Sequence, residues 1–132
     1  MIVLDASAAV DAVLERGEEG EWVAGKLAGA RSVHAPHLID SEVASTLRRL
    51  VLLGEIEPST GTKALGLFRL LRLARYPAEP LLDRIWELRE NVTAYDATYI
   101  ALAETLDAPL VTTDGRLSRA GGHRASVSAF PG

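Results

Sequence analysis

Four acidic residues follow predicted strands or begin predicted helices: Asp5, Glu42, Asp96 and Asp114. Asp5 ends the first apolar run of the chain, and Asp114 closely follows a later one. A parallel α/β sheet gathers strand carboxyl ends and helix amino ends along one edge, so we expect the four side chains to lie close together. Carboxylates crowded in this way repel one another unless a cation neutralises them. The sequence therefore predicts a metal site.

Each acid also has an ordinary structural explanation. Asp5 is a suitable N-cap for the helix after it, although Ser7 can fill that position instead and leave Asp5 free. Glu42 lies about 100° around its helix from Val43, at the border of the apolar stripe. An acid in a first turn is also favoured by the helix dipole. Both explanations stay open for Asp5, and the structural one is the simpler for Glu42 taken alone.

The other two acids lie in equally common local motifs. Thr93 and Asp96 are spaced as in a capping box, with Asp in place of the usual Glu or Gln. The stretch around Asp96 is nevertheless small and apolar, unlike a solvated first turn. Asp114 precedes Gly115, and Asp-Gly is a frequent turn pair. The combination favours the metal site, because each structural explanation would have to place a carboxylate on the same edge independently.

A metal held by carboxylates suits the hydrolysis of a phosphodiester bond. That reaction needs a nucleophilic water, stabilisation of an anionic transition state and an activated leaving oxygen, and one or two Mg²⁺ or Mn²⁺ ions supply all three. Mg²⁺ prefers oxygen ligands and keeps several waters, so a few carboxylates suffice. The chain has no Walker loop and no Gly-x-Gly-x-x-Gly motif, so we do not expect a nucleotide cofactor.

Composition narrows the class of protein further. The 132 residues, 48% of them hydrophobic, suit a single globular domain spanning 1–132. The absence of cysteine excludes disulfides, thiolate zinc sites and cysteine nucleophiles. A net charge of −4 argues against a protein that holds nucleic acid by bulk electrostatics. We expect a cytoplasmic protein without a signal peptide and without a membrane association, because no apolar run approaches the ~20 residues of a span.

Hydrophobic periodicity predicts strands that alternate with helices. Predicted strands cover residues 1–5, 32–35, 72–76, 109–112 and 125–128. Predicted helices cover residues 7–15, 18–29, 38–53, 58–71, 79–90 and 93–106. This alternation is typical of an α/β layer fold with a short, mainly parallel central sheet.

Three segments resemble the PIN-domain family, and specifically the VapC toxins of bacterial toxin–antitoxin pairs. They are residues 2–8 (IVLDASA), residues 91–97 (NVTAYDA) running on through Ala103, and residues 110–114 (LVTTD) followed by Arg116. The resemblance covers nearly the whole chain. It implies an α/β/α sandwich and Mg²⁺- or Mn²⁺-dependent endonucleolytic cleavage of RNA by a metal-activated water.

The resemblance also assigns roles to individual residues. The family's acidic quartet matches Asp5, Glu42, Asp96 and Asp114, which are therefore both the expected catalytic residues and the expected metal ligands. Glu42 lies in the least distinctive surroundings, and Asp40 is the alternative ligand. The implied partner is a VapB-type antitoxin that wraps the toxin and blocks the acidic site. The implied assembly is a homodimer of the toxin or a toxin–antitoxin hetero-oligomer.

Other polar residues are candidates around the quartet. The hydroxyls of Ser7 and Thr113 are suited to hydrogen-bond carboxylates or metal-bound waters, and the alternative is that both are turn hydroxyls. Arg89, Arg116 and Arg119 are candidates for contacts with the RNA backbone, against the alternative of a solvated surface.

The segment from residue 47 to residue 73 carries more apolar side chains than two amphipathic faces need. Leu52 and Leu53 flank the stripe of the first helix, and six residues wrap most of the second: Leu65, Leu67, Phe68, Leu70, Leu71 and Leu73. A buried helix pair or a homodimer face would explain this. Our hypothesis is that part of the surface forms a groove for a helix of the antitoxin.

Three other functions are compatible with parts of the pattern. A metal phosphatase is disfavoured because Asp5-Ala6-Ser7 lacks the Asp-x-Asp of aspartyl-phosphate enzymes. A regulatory or RNA-binding module would need the acidic edge to be structural only. A metal-independent ribonuclease with paired histidines is disfavoured by the spacing of the three histidines, of which His37 lies nearest the predicted edge.

Overall fold

The centre of the molecule is a sheet of five parallel strands in the order β3-β2-β1-β4-β5. The computed structural model describes all 132 residues. Its strands are β1 (Ile2–Leu4), β2 (Val33–Pro36), β3 (Leu73–Tyr76), β4 (Leu110–Thr112) and β5 (Val127–Ala129). Every neighbouring pair of strands is parallel. All five carboxyl ends therefore lie at one edge, as the predicted sheet requires.

Seven helices surround the sheet. They are α1 (Ala6–Val13), α2 (Gly17–Gly29), α3 (Leu38–Leu52), α4 (Pro58–Leu70), α5 (Leu82–Glu87), α6 (Ala94–Leu106) and α7 (Gly115–Arg119). The helix predicted over residues 79–90 is shorter, because Glu79–Leu81 forms a 3₁₀ turn before α5 and hydrogen-bonded turns replace the helix after Glu87. The sequence did not predict α7, a five-residue helix behind the Asp-Gly pair. None of the seven is both long and apolar enough to cross a bilayer.

The helices form a layer on each face of the sheet. The chain runs outward from β1 to β3 and then crosses back to β4 on the other side of β1. Crossovers of the usual right hand then place α1 to α4 on one face and α5 and α6 on the other. The contacts agree, since α1 packs against α2, α3 and α4, while α6 packs against α5 and the three middle strands. The predicted α/β/α sandwich is confirmed.

The hydrophobic core packs around the strands whose carboxyl ends carry the predicted acids. Val3 and Leu4 of β1 and Leu110 of β4 are fully buried. Residues 97–103 of α6 are buried without interruption, because this helix lies between the sheet and α5. The strand order reverses between β1 and β4, and in open parallel sheets such a reversal opens a crevice outside the carboxyl ends. Asp5 follows β1 at this crevice, and Asp114 follows β4.

Candidate active site

A cleft of about 350 Å³ at the carboxyl edge of the sheet is lined by all four predicted acids. Asp5 comes from the β1–α1 junction, Glu42 from α3, Asp96 from α6, and Asp114 from the residue before α7. Arg49, Tyr99 and Arg116 are among the other residues that line it. Residues far apart in the chain are thus brought together, as the sequence predicts.

Asp5 is a buried carboxylate that accepts three hydrogen bonds. Its side chain caps α1 by accepting the N–H of Ala8 at 2.9 Å, and it accepts the hydroxyls of Ser7, at 2.8 Å, and Thr112. Only 4% of the residue is exposed. Burial raises its pKa to about 6, since desolvation outweighs the three hydrogen bonds and the charge of Asp114 adds to it. Asp5 is therefore a cap and a cleft carboxylate at the same time.

The hydroxyl that reaches Asp5 from β4 belongs to Thr112 and not to the predicted candidate Thr113. Thr112 also accepts the backbone N–H of Asp114 at 2.9 Å, so it links the ends of β1 and β4. Thr113 donates only its backbone N–H, to the Ser7 hydroxyl at 3.4 Å. Successive side chains of an extended segment point to opposite sides, so strand parity is the signal that separates the two threonines.

Glu42 enters the cleft paired with a tyrosine that sequence reasoning did not place in the site. The Tyr99 hydroxyl donates to Glu42 Oε1 at 2.6 Å. Burial first, and then this hydrogen bond and the charge of Glu42, raises the Tyr99 pKa. Tyr99 lies three residues after Asp96, a spacing that puts both on one face of α6. The alternative ligand Asp40 makes a two-pronged ion pair with Arg75 of β3 at 2.8 Å and does not line the cleft.

Asp96 and Asp114 both belong to helix starts. The Thr93 hydroxyl accepts the N–H of Asp96 at 3.2 Å, which is the capping contact that the spacing predicts. Burial first, and then the charge of Asp114, raises the pKa of Asp96. Asp114 caps α7 and accepts two donors from the Arg116 guanidinium, the shorter at 2.8 Å, so its pKa is lowered.

The donor set has the chemistry of a hard divalent cation site. All four acids offer oxygen only, which Mg²⁺ and Mn²⁺ prefer. In this structure Asp114 is turned to Arg116 and Glu42 to Tyr99, and no three acidic or imidazole side chains lie close enough together to enclose an ion. The residues therefore fit the cation in type, and ligation by the four acids stays a prediction.

The three histidines lie outside the cleft. His34 is buried in β2, where its ring nitrogens contact the hydroxyls of Tyr76 at 2.7 Å and Ser32 at 2.8 Å. His37 precedes α3, and His123 lies in the irregular segment before β5. A mechanism with paired histidines has no site in this arrangement.

The chain is similar in sequence to a known family of proteins over nearly its whole length. A PIN-domain family model matches residues 2–123. The chain is 47% identical to ribonuclease VapC9 of Mycobacterium tuberculosis over 131 residues, covering 99% of both proteins. It is 46% identical to ribonuclease VapC1 of the same organism over 121 residues, covering 91% of this chain and 90% of that protein.

Solved structures share the fold at low sequence identity. VapC20 of Mycobacterium tuberculosis, a sarcin-ricin loop cleaving toxin, matches with a TM-score of 0.70 at 15% identity, over 90% of this chain and 94% of that one. VapBC2 from Rickettsia felis, bound to a DNA fragment from their promoter, matches with a TM-score of 0.69 at 16% identity, over 98% of both chains. The family model and the full-length relatives show that the chain belongs to the PIN-domain family and is a VapC-type member of it.

Proposed function

We propose that this protein is the toxin of a VapBC pair, an endoribonuclease that cleaves RNA phosphodiester bonds with a divalent cation. The observation that carries the proposal is the single cleft lined by Asp5, Glu42, Asp96 and Asp114. Relatives that align over nearly the full chain are named ribonucleases, and this supports RNA as the substrate. Cleavage without a side-chain nucleophile is consistent with a chain that lacks cysteine.

Asp5, Asp96 and Asp114 would hold Mg²⁺ or Mn²⁺, and Glu42 would complete or tune the site. When bound, the cation supplies the positive charge that activates water and stabilises an anionic transition state. The chain's own hydrogen bonds orient the ligands: Thr112 and Ser7 fix Asp5, and Tyr99 fixes Glu42.

The partner in this proposal is a VapB-type antitoxin. A shallow depression of about 330 Å³ lies between α3 and α4, and its lining includes Leu47, Val51, Leu52 and Leu65. Leu52 is 66% exposed and Leu65 is 38% exposed, so apolar surface is available to an amphipathic helix. Phe68 belongs to the core instead, at 2% exposure, which narrows the apolar surface that the sequence suggested.

Substitution at the exposed leucines separates antitoxin binding from folding. Leu52→Glu with Leu65→Glu should abolish co-purification with the antitoxin while the circular dichroism spectrum and metal-dependent cleavage persist. Leu70→Glu is the matched control, because Leu70 is also exposed, at 77%, but does not line the depression. Retention of the antitoxin by the double variant would refute this docking surface.

Cleavage of total cellular RNA by antitoxin-free protein tests the enzymatic proposal. We expect discrete cuts that need Mg²⁺ or Mn²⁺, that stop with EDTA, and that disappear in Asp96→Asn, which excludes a contaminating nuclease. Mapping the fragment ends identifies the target. Intact RNA after incubation with folded, metal-loaded protein would contradict the proposal, and turnover of a small phosphate monoester in its place would favour the phosphatase alternative.

A further inference from the structure

A second depression adjoins the acidic cleft and differs from it in charge. This groove has a volume of about 650 Å³ and shares Asp96 and Arg116 with the cleft. Three arginines line it: Arg89 after α5, and Arg116 and Arg119 in α7. The acids in its lining are Glu90 and the shared Asp96. We call this surface the arginine groove.

Two of the three guanidinium groups have no acidic partner. Arg116 pairs with Asp114, although its side chain is 79% exposed. Arg89 and Arg119 form no salt bridge in the structure, and both are exposed. In a chain with a net charge of −4, unpaired arginines in a groove favour an anionic ligand with planar, oxygen-rich groups.

An exposed aromatic side chain lies beside the groove. Trp86 is 68% exposed, and the Arg89 guanidinium lies over its ring, 4.8 Å from the centroid. Arg89 also donates to the Trp86 carbonyl oxygen at 2.9 Å, which holds the arginine in place. An arginine stacked on a solvent-exposed tryptophan presents a charge for a phosphate and a flat surface for a base.

The acidic cleft itself repels an RNA strand, so the strand needs positive charge nearby. We propose that the arginine groove binds the single-stranded RNA segment that adjoins the cleaved bond, with Arg89 and Arg119 on backbone phosphates and Trp86 stacked on a base. This inference rests on the proposed ribonuclease function, and it adds the path that the substrate takes from the cleft. Arg116, shared by both surfaces, connects that path to the cleft.

Binding of a fluorescent single-stranded RNA oligonucleotide in EDTA tests the groove without cleavage. Arg89→Gln with Arg119→Gln should weaken binding roughly tenfold and lower the slope of log K against log salt by about 1.4, since each lost contact to a single strand contributes about 0.7. Arg31→Gln with Arg72→Gln is the matched control. Both control arginines are exposed, unpaired and placed before β2 and β3, at the opposite edge of the sheet. Equal losses in the two double variants, or no loss in either, would overturn the proposal.

Tryptophan fluorescence tests the stacking contact separately. The chain has two tryptophans, and Trp22 packs edge-to-face against Phe130 with ring centroids 5.8 Å apart. Quenching by the single-stranded oligonucleotide should persist in Trp22→Phe and disappear in Trp86→Phe. Quenching that disappears in Trp22→Phe instead, or a duplex of the same sequence that binds and quenches equally well, would refute single-strand stacking at Trp86.

Cleavage assayed beside binding separates this proposal from the ribonuclease proposal. If wild-type protein cuts RNA and the Arg89/Arg119 double variant binds and cuts equally well, the groove proposal fails and the ribonuclease stands. If wild-type protein never cuts RNA but its binding depends on the two arginines, the ribonuclease proposal fails and the groove stands as an RNA-binding surface.

Discussion

Asp5 combines two roles with opposite energetic consequences. As the cap of α1 it satisfies a backbone N–H, and as a carboxylate with 4% exposure it loses the hydration that an anion needs. The folded protein therefore binds a proton at Asp5 more tightly than the unfolded chain does, with a pKa of about 6 against 3.8. Stability from this group is present below pH 4 and is lost as the pH rises through 6.

Asp5→Asn should consequently stabilise the metal-free protein at pH 7 while it abolishes RNA cleavage. Keeping Asp5 ionised at pH 7 with a pKa of about 6 instead of 3.8 costs the folded state about 3 kcal/mol. Asparagine avoids this cost but lacks one hydrogen-bond acceptor, which reduces the net gain to about 1–2 kcal/mol. Urea unfolding in EDTA measures this. At pH 4, where Asp5 of the folded wild type is protonated, the gain should be lost and the variant should be less stable than wild type by up to about 1–2 kcal/mol. A variant that is less stable than wild type at pH 7, or one that still cleaves RNA, would refute this account of Asp5.

The two neighbouring threonines allow a matched test of how Asp5 is held. Thr112→Val removes the hydroxyl that donates to Asp5 and accepts the N–H of Asp114. The variant should lower the free energy of unfolding by about 1.5–3 kcal/mol, the contribution of a hydrogen bond to a buried charge. Thr113→Val should change the free energy of unfolding by less than about 0.5 kcal/mol, because no contact of its hydroxyl is lost. Urea unfolding at pH 7 compares them, and equal effects would show that Thr112 does not position Asp5.

At the scale of elements, the prediction succeeded for features that depend only on residues close together in the chain. Apolar runs and helical periodicity identified five strands and six helices, and a polar residue after a strand identified Asp5 and Asp114. Side-chain direction depends on the strand register, so the sequence indicated Thr113 where the structure has the Thr112 hydroxyl at Asp5. The contact of Tyr99 with Glu42 depends on how α3 and α6 pack, which no pattern within one segment encodes. The helix α7 spans five residues, too few for a periodic pattern to distinguish it from a turn.

The packing of α1 against α2 is the element-scale feature that supports the site, since Asp5 is the N-cap of α1. A Cβ on Gly20 of α2 would lie 2.7 Å from the Asp11 carbonyl oxygen of α1, whereas a Cβ on Gly25 would meet nothing within 4 Å. Gly20→Ala should therefore destabilise by about 1–3 kcal/mol. Gly25→Ala should stabilise by up to about 1 kcal/mol through helix propensity. Urea unfolding of the pair tests this, and equal shifts would show that the close approach does not constrain α2.

For the whole molecule, strand order decides what the site becomes. Pairing β1 with both β2 and β4 places Asp5 and Asp114 on adjacent strand ends, a long-range choice that periodicity within a segment does not encode. The same topology sets the acidic cleft beside the arginine groove through the shared residues Asp96 and Arg116. A negative protein thereby presents negative charge where a cation is expected and positive charge where RNA is expected.

Metal binding should therefore be visible in global stability, independently of any cleavage. A cation that binds only the folded state at 100 times its Kd contributes about 2.7 kcal/mol, which for a domain of this size is a rise in Tm of roughly 10 °C. We expect Mn²⁺ or Mg²⁺ to raise the Tm of the wild-type protein and to raise the Tm of Glu42→Gln by less. The Tm of Asp96→Asn should not change on addition of either cation. Asp40→Asn is the control, since Asp40 is paired with Arg75 outside the cleft, and it should keep the full rise. A rise that persists in Asp96→Asn, or that is lost in Asp40→Asn, would place the cation elsewhere and remove the basis for ligation by the four acids.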